Sequence, residues 1–153
     1  MRDLWICFLV GVVGSTVSAF RTTSAVADDN ASAVMMKAGA AKVVITPDPA
    51  SLAELTTVMG TRASTIDHDI YARTLVLNDG TSRLVIVTYD LNCLDVATPI
   101  LRQRCRDELK IPPSQLILMA THNHAAPIQI CPENFAYGRQ LADRMFTLIQ
   151  TAI

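Results

Sequence analysis

The apolar positions of this chain fall into short runs broken by turn-forming residues, followed by two stretches with helical spacing. Residues 38-AGAAKVVIT-46 read as a first strand, stopped by Pro47 and Pro49. Residues 50–69 mix apolar and polar positions with no clear period, and a long, partly ordered loop is expected there. β-branched and aromatic residues dominate 70-IYARTLVL-77, and 83-RLVIVTYD-90 is the returning strand. Between them, Asn78-Asp79-Gly80-Thr81 predicts a tight hairpin turn.

A helix is predicted next. Thr98 is placed to cap it, with Pro99 at the first helical position, and Leu101, Cys105 and Leu109 recur every four residues on one face. It must stop before Ile111-Pro112-Pro113-Ser114, because proline disfavours helix at itself and at the residue before it. Residues 115-QLILMAT-121 read as a short strand, apolar on both faces and therefore expected at the centre of a sheet. From 135 to 152 the apolar stripe Leu141, Met145, Leu148 and Ala152 predicts a second helix. Strand, hairpin, helix, strand and helix together imply an α/β domain with a mixed β-sheet, a β-hairpin and flanking helices. Thr151-Ala152-Ile153 carries no stop signal, so this helix is expected to continue.

Composition narrows the function classes. The 153 residues are 50% hydrophobic and carry a formal charge of −1, enough apolar material for one ordinary core and no basic patch for nucleic acid. Arg2 precedes the apolar stretch 4-LWICFLVGVV-13, and small-residue sites follow at Val17-Ser18-Ala19 and Ala25-Val26-Ala27. This is the pattern of a secretory signal peptide over residues 1–27, implying a secreted or periplasmic product. Its apolar core is about ten residues, against the roughly 20 a membrane-spanning helix needs. No transmembrane span is expected in the mature chain. Residues 28–37 read as a flexible linker and 38–153 as the domain. Export permits one disulfide among Cys93, Cys105 and Cys131, whose spacing matches no metal-binding pattern.

Three histidines are present, and two of them end the short strand in 119-MATHNHAAP-127. On an extended strand, His122 and His124 would point the same way about 7 Å apart. Imidazoles so placed can converge on one ion about 2.0–2.1 Å from each nitrogen, or make the ordinary hydrogen bonds of a loop. Asp90 closes an otherwise apolar strand, where a carboxylate orients a ligating histidine, handles a proton, or caps the following loop. Arg73 either pairs with Asp90, meets a substrate oxygen, or lies along the surface. His68, between Asp67 and Asp69, is a possible third ligand or simple loop polarity. Serine-hydrolase, phosphate-loop and His-Glu-x-x-His signatures are missing from the sequence.

Four stretches, 38-AGAAKVVITP-47, 69-DIYARTLVLNDG-80, 86-IVTYDLN-92 and 119-MATHNHAAP-127, resemble in order and spacing the N-terminal part of the neutral/alkaline non-lysosomal ceramidase family. That family carries Thr-His-Thr-His-Ser-Gly-Pro where this chain has Thr121-His122-Asn123-His124-Ala125-Ala126-Pro127. The resemblance implies a zinc-dependent amidase hydrolysing the N-acyl bond of ceramide-like lipids. It implies His122 as a Zn2+ ligand and His124 as the neighbour that hydrogen-bonds the developing oxyanion. The family's other ligands, a second His, a Glu and a Tyr, would lie beyond Ile153, so the resemblance also implies an incomplete N-terminal part of a larger catalytic domain. Two alternatives stand beside it: a non-catalytic exported ligand-binding domain of the same fold, and a metallohydrolase for another amide or ester.

Overall fold

The computed structural model describes residues 35–153. The expected signal peptide, and all but the end of the expected linker, lie outside the described residues. Four strands make one sheet in the order β1-β2-β3-β4: β1 Lys37–Val44, β2 Tyr71–Asn78, β3 Arg83–Tyr89 and β4 Leu116–Ala120. β1 and β2 pair antiparallel, as do β2 and β3, whereas β3 and β4 are parallel. The mixed sheet expected from the element pattern is therefore present. A parallel neighbour needs a crossover, and helix α1, Ala97–Leu109, supplies it between β3 and β4. Helix α2, Phe135–Ala152, follows β4 through an irregular loop.

The hairpin forms where its turn chemistry predicts. Asn78 Oδ1 accepts from Gly80 N (2.8 Å), and Asp79 Oδ1 accepts from Thr81 N (2.8 Å) and Ser82 N (2.6 Å). Gly80 takes φ +89°, which a side chain would strain. Those backbone amides hold the Asp79 carboxyl below its usual range.

Alternation then sorts the sheet into two faces. Ala72, Thr74 and Val76 pair with Tyr89, Val87 and Val85, and all six are buried. Leu101 and Cys105 of α1 and Leu141, Met145 and Ile149 of α2 complete the same core, none of them exposed. On the opposite face, a row of Ala40, Leu75, Ile86 and Ile117 crosses all four strands. Leu75 is 39% and Ile117 40% exposed, so the described residues cover only one side of the sheet.

Two expectations need correction. β4 is the edge of the sheet among the described residues, with Met119 44% exposed. Its apolar character on both faces reports on what the strand can tolerate, whereas its pairing is decided by the single parallel contact with β3. Thr98 is not the cap of α1. The helix starts at Ala97 with Val96 before it, and Thr98 Oγ1 donates back to Leu94 O (2.7 Å). Pro99 still falls in the first turn, where its missing N–H costs nothing. α1 ends with Lys110 in the left-handed conformation (φ 58°), and the prolines follow as predicted.

The segment between β1 and β2 is more ordered than expected. A 3₁₀ turn spans Pro49–Glu54, and Asp48 caps it by accepting from Ala50 N (2.9 Å). Beyond it, the fully buried Asn134 accepts from Thr56 N (3.0 Å) and donates to Thr56 O (2.7 Å) and Ile128 O (2.6 Å). With the bond from Ile128 N to Thr56 O (3.0 Å), this amide ties the loop to the one that follows β4.

Candidate functional site

The carboxyl ends of the parallel strands β3 and β4 lie side by side, the place where open α/β sheets put their ligands. Past the last regular pair, the two chains keep a looser ladder. Thr121 N donates to Tyr89 O (3.0 Å), and Asn123 N donates to Leu91 O (3.1 Å). His122 stands between those two bonds. Its φ is +63°, the left-handed region, which costs a residue with a side chain about 1–2 kcal/mol.

This alters the geometry expected from His-x-His spacing. β4 stops at Ala120, so His122 and His124 occupy a loop and are not on an extended strand. Strand alternation does not apply to them. The turn at His122 brings the two rings into edge contact, with centroids 4.7 Å apart and planes at 65°. Both residues are exposed. Asn92 Nδ2 lies 3.3 Å from His122 Nδ1.

Asp90 pairs with Arg73, one of the alternatives for that arginine. Arg73 Nη1 reaches its Oδ2 at 3.1 Å and its Oδ1 at 3.2 Å, and Tyr71 N donates to Oδ2 at 3.0 Å. The carboxylate hydrogen-bonds neither imidazole. Its residue is tied to the histidine loop through the backbone, since Asn123 Nδ2 donates to Asp90 O (3.4 Å). Asn123 Oδ1 in turn accepts from Ala125 N (2.9 Å), a side-chain turn that shapes the loop. The Tyr71 ring carries Lys42 Nζ at 4.5 Å and Arg73 Cζ at 5.3 Å from its centroid, which steadies the arginine.

A cavity of about 280 Å³ opens beside the loop. Ala125, Ala126 and Pro127 of the histidine loop form one wall, and Leu52, Ile66 and Ile70 face them. His68 also lines it, which places the third histidine at the cavity and not in a cluster with the other two. Among the described residues, no group of three or more His, Cys, Asp or Glu side chains is gathered to hold a metal ion. The donors present fit part of a zinc site: two adjacent imidazoles, one with its inner nitrogen against an amide.

The cysteines stand apart from this chemistry. Cys93, Cys105 and Cys131 are free thiols. Burial pushes the Cys93 thiol up, and its hydrogen bond to Asp95 adds to the rise. Cys105 is fully buried, and burial lifts it to about 11. Neither is primed as a nucleophile.

The described segment is similar in structure to neutral ceramidase from Pseudomonas aeruginosa, with a TM-score of 0.58 and 22% identity over 76% of this chain and 21% of that one. The fold is ceramidase-like. A ceramidase complexed with C2 matches similarly, with a TM-score of 0.56 and 21% identity over the same shares of the two chains. The chain therefore spans about a fifth of the length of the ceramidases it matches, and at such identity the likeness is one of fold. No protein-family model and no curated protein matches the sequence. Among the described residues of this ceramidase-like fold, no helix is long and apolar enough to cross a membrane.

Asn92 and Asn134 were missed by sequence reasoning. Asn92 sits two positions after Asp90, and the strand-end argument that singled out Asp90 reaches it as well. Asn134 has no local signal, because its partners lie 78 and 6 residues away.

Proposed function

We propose that this chain is the N-terminal portion of an exported, zinc-dependent amidohydrolase that cleaves the N-acyl amide bond of ceramide-like lipids. One observation carries the reading: in a ceramidase-like fold, the loop at the ends of two parallel strands presents His122 and His124 in contact, with His122 in a left-handed conformation. A backbone cost retained at an exposed imidazole is the mark of a residue placed for chemistry.

His122 would hold the metal, with further donors from outside the described residues. When bound, zinc lowers the pKa of a coordinated water towards about 7 and polarises a carbonyl. His124, packed edge-on against His122, would donate to the oxygen on which negative charge develops. Asp90 supplies the carboxylate at the same strand ends, braced by Arg73 and the Tyr71 amide. The apolar wall of Leu52, Ile66 and Ile70 suits part of an aliphatic chain.

The test is ceramide hydrolysis by the gene product that carries this segment. We expect about one zinc per chain, activity abolished by a chelator and restored by zinc, and a loss of at least about a hundredfold in His122→Asn. Hydrolysis that survives both treatments would overturn the proposal. Stoichiometric zinc with turnover of other amides or esters, and none of ceramide, would move the substrate and keep the chemistry.

A further inference from the structure

We infer that Asn92 is a positioning residue that fixes which ring nitrogen of His122 is open to a cation, and that this nitrogen is Nε2. The inference rests on the reading of His122 as a metal ligand given above. Nothing else among the described residues makes a choice between the two nitrogens, since Asn92 is the one side chain there that hydrogen-bonds the His122 ring.

The geometry is set by the backbone. The bonds from Thr121 N to Tyr89 O and from Asn123 N to Leu91 O hold the two chains in register past the ends of the strands. The residues that follow Leu91 and Thr121, Asn92 and His122, are thereby neighbours. With Asn92 Nδ2 at 3.3 Å, Nδ1 is engaged by the amide, and Nε2 is the ring nitrogen without a hydrogen-bond partner among the described residues.

An amide can serve either tautomer. With its N–H towards the ring it donates to a bare Nδ1, and Nε2 then carries the proton. Turned about its Cβ–Cγ bond, it offers its oxygen instead, accepts Nδ1–H, and leaves the Nε2 lone pair free. Among the described residues, no other hydrogen bond holds the Asn92 amide in either orientation. A cation arriving at Nε2 would therefore select the oxygen-inward state at little cost. Ligating histidines ordinarily donate their second ring N–H to an oxygen acceptor in this way, which fixes the ring and raises its basicity.

The experiment is nitrogen NMR of the His122 ring in the gene product that carries this segment, without metal and with added zinc, alongside Asn92→Ala, Asn92→Asp and His122→Asn. Zinc should move the Nε2 resonance and leave Nδ1 with the shift of a protonated nitrogen. Asn92→Ala should weaken zinc binding by about 10–100-fold with the fold intact by circular dichroism. Asn92→Asp, which always presents an oxygen, should bind at least as tightly as the native chain. Zinc bound through Nδ1, or Asn92→Ala and Asn92→Asp both matching the native affinity and ring shifts, would overturn the inference while leaving a metal site at His122 standing. If His122→Asn binds zinc as well as the native chain, the site reading itself fails, and the role of Asn92 fails with it.

Discussion

Cys105 carries a thiol with no solvent contact in the middle of α1, and burial lifts its ionisation from about 9 to about 11. Below pH 9 the thiol is neutral whether the chain is folded or not, so the stability it contributes is intact there. Between 9 and 11 the unfolded chain gives up the proton first, and the folded state loses up to about 1.4 kcal/mol per pH unit. Urea unfolding at pH 8 and at pH 10.5 should show this loss. Cys105→Ala should be less stable at pH 8, by about 1–2 kcal/mol for the lost sulfur, yet decline less between the two pH values. Tyr89 and Tyr137, both raised by burial, extend the alkaline loss to higher pH in either protein. At the histidine site, the sequence displayed the two rings but not their arrangement. His122 takes a positive φ because the ladder with β3 continues irregularly past Ala120, and a dipeptide spacing carries no information about where that ladder breaks.

Among the elements, those settled by neighbours in sequence were legible. The hairpin follows from Asn78, Asp79 and Gly80, and α2 follows from a stripe of residues that are all buried, Leu141, Met145, Leu148 and Ala152. The start of α1 was misread by two residues, because Thr98 can bond backwards to Leu94 as well as forwards as a cap. Partial order was expected of the segment between β1 and β2, but what holds it was not legible. It is held by Asn134, whose amide meets the backbone of Thr56 across 78 residues. Asn134→Ala would remove three hydrogen bonds and strand Thr56 N and Ile128 O, while Thr56 O keeps its bond from Ile128 N. At about 1 kcal/mol for each hydrogen bond, a loss near 3 kcal/mol is expected. Hydrogen exchange should report it first at the amide of Thr56. Unchanged protection there would remove the clamp from the account.

For the whole molecule, the sequence pattern gave the α/β class and the mixed sheet but put β4 at the centre. Apolar residues on both faces of a strand are compatible with a core position without requiring one, and Ile117 and Met119 remain exposed at the edge. Closure of the fold depends on the other edge of the sheet, where β1 meets the last turn of α2. A Cβ added at Gly39 would stand 2.0 Å from the Ala152 carbonyl oxygen, a collision with backbone that no rotamer relieves. Strand and helix therefore touch through bare main chain. In a saturation library scored for folded abundance, position 39 should retain glycine alone, with even alanine depleted. Positions 38 and 40, whose side chains are exposed, should accept most residues. A single hydrogen atom sets how near two parts of the chain can stand, which makes this codon among the least free to drift.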